Sequence, residues 1–140
     1  MAAPAVSNEL QRLWFATLKR DWSSLAVLPA HAGGTAAQVA KSLAQIAAIH
    51  KDSPIKLISA EGADLQGASR LIIDMTTHVA SGGLAIVLLD SVIANPADIP
   101  VAMAADAALL CVHLGDSDFE SAQRTLELVG ASRFVGAVTT

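Results

Sequence analysis

Two hydrophobic periodicities alternate along the chain. Five short apolar runs bounded by turn residues predict buried strands at Leu25–Pro29, Ile55–Ser59, Leu84–Asp90, Ala108–Leu114 and Phe134–Thr139. The three- and four-residue apolar spacing of amphipathic helices predicts helices at Glu9–Lys19, Thr35–His50, Leu65–Val79, Pro96–Ala104 and Asp118–Val129. This alternation predicts an α/β fold with a five-stranded, mostly parallel sheet and helices on both faces, in three layers.

Composition fits one domain with one core. The chain has 140 residues, of which 53% are hydrophobic and 16% charged, and a chain of this length buries most of its apolar surface in a single core. We expect residues 8–140 to form that domain after a flexible, Ala-rich N-terminal segment, residues 1–7. No run approaches the roughly 20 uncharged residues of a membrane span. With no cationic segment before an apolar stretch at the N-terminus, we expect a cytoplasmic protein without direct membrane insertion.

Charge and reactive side chains exclude several classes of function. The net charge is −4 and no basic cluster is present, which argues against nucleic acid as a partner, since that affinity depends on neutralising phosphates. The one cysteine, Cys111, lies within an apolar run, which predicts that it is a core residue. The histidines lack metal-ligand spacing, so we predict no metal site.

The loop after the first predicted strand carries a candidate phosphate site. Gly33 and Gly34 form a tight turn that leads into a helix, where a P-loop would wrap phosphates with backbone N–H groups. The positions of the P-loop lysine and serine or threonine hold Ala36 and Ala37, with Thr35 beside them. A Gly-Gly turn is also common wherever a strand turns sharply into a helix, so this segment alone leaves both interpretations open.

Acidic residues follow the next two strands. Asp90 ends the third predicted strand, where a Walker B carboxylate would bind magnesium, although an Asp that caps the following turn explains its position nearly as well. Glu61 and Asp64 follow the second strand, where an acid can serve a metal or orient water. Without a lysine or a metal-binding hydroxyl nearby, these acids lack the partners that phosphoryl transfer requires.

Together these segments resemble the cytoplasmic ATPase domain of bacterial tyrosine kinases that govern exopolysaccharide chain length and export, relatives of the MinD/ParA ATPases. The likeness covers most of the chain and is strongest in its C-terminal half, where Asp90, Asp98, Asp106 and Gly136 take the positions of the family pattern. The resemblance implies a P-loop NTPase-like sheet with strand order 2-3-1-4-5. A flavodoxin-like order, with the second strand beside the first, would leave only a generic α/β domain.

The first predicted helix adds a second point of likeness. Glu9 and Arg12 match the first two members of the family's E-x-x-R-x-x-R ring-forming motif, while Phe15 replaces its last arginine. The resemblance therefore implies an interaction surface at Glu9 and Arg12. Trp14 is a further candidate for this surface, because aromatic anchors are enriched in interface cores. For Trp14 a second interpretation stays open, in which its ring packs the helix onto the sheet.

The departures from the family pattern suggest a degenerate, pseudokinase-like member. Ala36 replaces the lysine, Ser59 and Glu61 replace two aspartates, and the chain contains no tyrosine for the family's C-terminal tyrosine cluster. We therefore predict no catalytic residue and no cofactor, with weak or absent binding of ATP and magnesium. The vestigial nucleotide site comprises Gly33, Gly34, Thr35, Glu61 and Asp90.

The leading hypothesis is a non-catalytic regulatory or scaffolding module of exopolysaccharide biosynthesis and export. It would bind the cytoplasmic tail of a membrane chain-length regulator, a polysaccharide co-polymerase, at the inner face of the membrane, and self-association is a further option. The alternative is an atypical ATPase or tyrosine autokinase of the same pathway with a weak nucleotide site. A receiver-like signalling domain with Asp90 as phosphoacceptor ranks last, because Pro29, Ala30 and His31 replace the acidic pair that receivers need.

Overall fold

The five predicted strands form one sheet. In the computed structural model, which describes residues 8–140, the strands are β1 (Ser24–Pro29), β2 (Ile55–Ser59), β3 (Leu84–Leu88), β4 (Ala107–Val112) and β5 (Phe134–Thr139). All neighbouring strands are parallel. Every residue of β1 and β3 is buried, as expected for central strands covered on both faces.

The strand order is β2-β3-β1-β4-β5. It confirms the predicted order 2-3-1-4-5 and excludes the flavodoxin-like order. From β1 the chain passes outward over β3 to β2, and from β3 it crosses in the opposite direction over β1 to β4. The two connections diverge between β1 and β3, and the crevice beyond the carboxyl ends of such strands is the usual ligand position in open parallel sheets.

Helices cover both faces of the sheet. On one face, α1 (Asn8–Thr17) and α2 (Ala37–His50) pack with alternate residues of the strands in one apolar cluster. On the other face, residues of α3 (Leu65–Ala80), α4 (Ile99–Ala104) and α5 (Phe119–Val129) contribute to a second cluster. Cys111 is buried in the first cluster, as predicted, and burial raises the pKa of its thiol to about 12.

The Trp14 side chain belongs to the core. It is 0% exposed, meets the ring of Trp22 edge-on at a centroid distance of 5.8 Å, and stacks on His50 at 6.2 Å. The prediction that Trp14 contacts a partner is therefore wrong, and the packing interpretation is correct. Its neighbour Phe15 is 54% exposed.

The fourth predicted helix divides into two pieces. A 3₁₀ turn at Pro96–Asp98 precedes α4. Pro100 has no N–H to donate to the Pro96 carbonyl four residues earlier, and this carbonyl instead accepts from the Ile99 N–H, three residues on. The sequence therefore places an acidic residue, Asp98, in a tight turn rather than on a regular helix.

Two further predictions concern membrane-spanning helices and the N-terminal segment. Within residues 8–140, no helix combines the length and the apolar character that a bilayer crossing needs. The predicted flexible segment, residues 1–7, lies outside the described residues.

Candidate functional site

A cavity of about 570 Å³ opens at the carboxyl ends of β1, β2 and β3. It lies where the two crossover connections diverge. Three loops supply its lining residues, which are Gly33, Gly34, Gly62, Ala63, Asp64, Asp90, Ser91, Ala94 and Asn95. The cavity is therefore the candidate site of the fold.

The loop after β1 is a tight turn closed over a histidine ring. Gly33 has a φ of +85°, a left-handed conformation that glycine adopts without strain, and the Gly34 N–H donates to the His31 carbonyl at 3.2 Å. A Cβ atom on Gly34 would lie 2.7 Å from Cε1 of His31. Backbone conformation thus explains Gly33 and the lack of space for a side chain explains Gly34, whatever the cavity binds.

Helix α2 begins two residues later than predicted, at Ala37. The Thr35 hydroxyl accepts from the Ala37 N–H at 3.2 Å, while Ala36 at the N-cap has no side chain able to cap the helix. Ala36, which the resemblance aligns with the P-loop lysine, is 1% exposed. This position therefore holds a methyl group packed in the core and carries no ammonium group.

Asp90 connects the loops after β2 and β3. Its Oδ2 accepts from the Gly62 N–H at 2.7 Å and from Nδ2 of Asn95 at 3.4 Å. Asn95 also donates to the Ala63 carbonyl at 3.0 Å. Gly62 takes a φ of +72° to make this turn. The Asp90 carboxylate thus has a structural function in joining two loops that line the cavity.

Asp98 is a buried acid directly behind Asp90. Its Oδ2 accepts from the Asp90 N–H at 2.8 Å, whereas its Oδ1 has no hydrogen-bond partner in the described part of the chain. Burial raises the pKa of Asp98 to about 6; the charge of Asp90 adds to the rise and the hydrogen bond from the Asp90 N–H opposes it. Asp98 therefore holds the backbone from which Asp90 projects.

The charge of the cavity lining is negative. Its two ionisable residues are Asp64 and Asp90, and the set contains neither lysine nor arginine. Asp64 also caps α3, because its side chain accepts from the Gly67 N–H at 2.7 Å. A phosphate group in this cavity would face carboxylates without a compensating side-chain cation.

The structure brings three of the five predicted nucleotide-site residues to the cavity. Gly33, Gly34 and Asp90 line it, whereas Glu61 and Thr35 are exposed and absent from its lining. The Glu61 backbone N–H donates to the Ser59 hydroxyl at 3.3 Å. The Thr35 carbonyl receives a hydrogen bond from Nε2 of His113 at 2.8 Å.

The predicted interaction residues lie elsewhere. Glu9 and Arg12 are exposed on α1. Glu9 lines a separate groove of about 250 Å³, together with residues of α2 and the end of β5. Trp14, in the same helix, is buried as described above.

Sequence reasoning did not assign Asn95 or Asp98 to the site. The signal for Asp98 was its position eight residues after Asp90, where the family pattern has a second aspartate. Asn95 had no comparable signal, because its side chain reaches Asp90 through a turn whose direction periodicity does not reveal.

Contacts of His31 and His113 connect the loop after β1 to the loop after β4. The ring of His31 lies edge-on to that of His113 at 5.7 Å, and Nδ1 of His31 contacts the Ser117 hydroxyl at 2.6 Å. Ser117 also accepts from the His113 N–H at 3.0 Å. These contacts account for His31 as a structural residue of the loop.

Within the part of the chain that the structure describes, no three His, Cys, Asp or Glu side chains converge in a way that could hold a metal ion. Neither a protein-family model nor a curated protein matches the chain.

Proposed function

We propose that this domain is a non-catalytic regulatory or scaffolding module, with the architecture of a P-loop ATPase domain and without its phosphate-binding chemistry. The observation that carries the proposal is the lining of the cavity at the β1–β3 crevice, which includes two carboxylates and no cationic side chain. Binding the triphosphate of ATP depends on cations and aligned N–H donors around the phosphates.

The hydrogen bonds of Asp90 support this proposal. Its Oδ2 is engaged by the Gly62 N–H and by Asn95, so magnesium would compete with contacts that hold two loops together. The hydroxyl that a P-loop serine or threonine gives to magnesium is missing at Ala37. We therefore propose weak or absent binding of ATP and magnesium.

The strand order supports the resemblance on which the pathway rests. Order 2-3-1-4-5 is the order which that resemblance implied. On this basis we propose a role in exopolysaccharide biosynthesis and export. In this role the domain binds the cytoplasmic tail of a membrane chain-length regulator and is recruited from the cytoplasm to the inner face of the membrane.

The alternative is an atypical ATPase or tyrosine autokinase of the same pathway. One observation favours it: Asp90 lines the same cavity as Gly33 and Gly34, although it lies far from these two glycines in the sequence. In that case Asp90 would hold magnesium and its carboxylate would be essential to binding.

Asp90→Asn separates the two functions, because the amide keeps an oxygen to accept from Gly62 while the charge is lost. If the domain is a non-catalytic module, calorimetry should detect no binding of Mg-ATP to the wild type. The variant should not bind Mg-ATP more weakly than the wild type does, since removing a carboxylate lowers the repulsion of phosphate. Wild-type binding or hydrolysis that Asp90→Asn abolishes would establish the alternative. The tail should bind the wild-type domain equally with and without Mg-ATP.

A further inference from the structure

The two edges of the sheet differ in how they are protected. Edge strands expose unpaired N–H and C=O groups, and proteins commonly guard them with lysine, proline or covering elements. At one edge, β2 carries Lys56, which pairs with Asp74 of α3 at 2.7 Å. At the other edge, β5 has the sequence FVGAVT, with neither charge nor proline. This second edge is therefore open to another strand.

Backbone directions along β5 alternate between β4 and the open edge. The Thr140 N–H donates to the Val112 carbonyl at 2.9 Å, and the Thr140 carbonyl accepts from the Leu114 N–H at 3.0 Å. The parallel register pairs Val138 with Cys111 and Gly136 with Leu109. From Gly136 onward, even-numbered residues therefore face β4, and the N–H and C=O groups of Ala137 and Thr139 point outward. The register shifts between Ala108 and Leu109 of β4, so Val135 lies in an irregular part of β5.

The middle of β5 is uncovered. Gly136 and Ala137 are both exposed, and a Cβ atom on Gly136 would meet no heavy atom within 4 Å. Most residues of a strand packed between other elements are buried, as those of β1 are. No described residue therefore covers the middle of this edge.

We propose that β5 pairs antiparallel with β5 of a second copy of this chain, about a two-fold axis at Ala137. Hydrogen-bonded pairs of an antiparallel ladder join residues whose backbone groups face each other. The outward residues of β5 then place Ala137 opposite Ala137, and Thr139 opposite the irregular part of the strand at Val135. Gly136 falls opposite Val138 in the closer, non-hydrogen-bonded pair, where the missing side chain leaves room for the valine.

Charge at the two ends of β5 favours a second copy as the occupant. Glu9 and the residues from Val138 to Thr140 line the same groove, so the end of β5 has an acid beside it. Arg20 donates to the carbonyls of Ser132 and Arg133, so the start of β5 has the Arg20 cation beside it. Antiparallel pairing brings the acidic end of each strand to the basic end of the other.

The expected dimer is weak. Two six-residue strands make an interface at the small end of the specific range, below about 1,200 Å². Sedimentation equilibrium should therefore show the mass rising from one copy, 14.4 kDa, toward two copies between micromolar and millimolar concentration. This inference stands apart from the proposed function, because it needs neither nucleotide nor polysaccharide export.

Amide hydrogen exchange tests the edge directly. Raising the concentration should slow exchange at Ala137 and Thr139 by about tenfold or more, while the Gly136 and Val138 amides, already bonded to β4, should not change. Ala137→Pro removes an outward N–H and should leave the protein monomeric. The matched control is Leu57→Pro, at an outward position of β2, which should still dimerise. Glu9→Arg should weaken the dimer.

Three results would overturn the proposal. One is a constant mass over the whole concentration range. Another is a dimer that forms without protection of Ala137 and Thr139, because it would use another surface. The third is protection of these amides only when a peptide of the regulator tail is added, which would assign the edge to the tail. The exchange measurement uses the wild-type chain, so it decides the matter even if the proline variant fails to fold.

Discussion

Asp98 is the residue whose environment departs most from that of an ordinary surface acid. Its side chain is 0% exposed, one carboxylate oxygen has no partner among the described residues, and the other accepts from the Asp90 N–H. Burial raises its pKa from 3.8 to about 6. The folded state therefore binds this proton more tightly than the unfolded state does.

The sign of the pH dependence follows from this shift. The contribution of Asp98 to stability is fully present below its unfolded pKa of 3.8 and is lost as pH rises through about 6. The loss amounts to about 3 kcal/mol at 1.36 kcal/mol per pKa unit. Asp98→Asn removes the titration, so the variant should lack this fall in stability between about pH 4 and pH 7. Urea unfolding of both proteins across that range measures the difference, and parallel profiles would contradict the account.

Site residues were predictable from sequence only where a motif position marked them. Asp90 follows a strongly apolar run, so its place at the end of a strand was visible, and Gly33 and Gly34 stand at a strand-to-helix junction. Glu61 was predicted from its position after the second strand and from the family pattern, but it is exposed and absent from the cavity lining. Asp98 lies in a turn that α3 and α4 contact, and no local sequence pattern encodes this packing.

At the scale of elements, α1 is held to the domain by buried side chains, of which Trp14 is the largest. Trp14 is 0% exposed while Phe15 beside it is 54% exposed. Trp14→Ala should therefore lower the free energy of unfolding by about 3–5 kcal/mol, whereas Phe15→Ala should change it by less than about 1 kcal/mol. Chemical denaturation of both variants checks this, and equal effects would mean that α1 is not docked as described.

The exposed side of α1 is the proposed partner surface. Arg12→Glu reverses a charge at an exposed helical position, where such changes alter stability by less than about 0.5 kcal/mol. We expect weaker binding of the regulator tail at an unchanged melting temperature. Lys19→Glu, just beyond α1, makes the same change in net charge and should have little effect. If Arg12→Glu alters neither property, the helix is only an intramolecular strap.

The predicted strand ends lie within two residues of the observed ones, because the central strands are apolar on both faces. Helix boundaries were less accurate where backbone chemistry overrides periodicity. Pro100 converts the start of the fourth helix into a 3₁₀ turn, and the Thr35 hydroxyl moves the start of α2 to Ala37. Both effects arise from single hydrogen bonds, which a hydrophobic pattern does not register.

At the scale of the whole molecule, strand order separates two kinds of α/β domain that have similar hydrophobic patterns. Five parallel strands with intervening helices are compatible with either order, so periodicity alone left the choice open. The order β2-β3-β1-β4-β5 places the crevice between β1 and β3, where the loops with Gly33 and Asp90 meet. The fold thus forms a cavity at this crevice, while neither lysine nor arginine, which would favour phosphate, lies in its lining.

The measurement that tests the central claim most directly is the melting temperature of the purified domain with millimolar Mg-ATP. The missing lysine and hydroxyl contacts are charge-assisted and each worth about 1.5–3 kcal/mol, so their loss weakens binding by roughly a hundredfold or more. A ligand well below its dissociation constant does not stabilise a fold. The account therefore predicts no thermal shift, and a clear upward shift that requires both ATP and magnesium would contradict it.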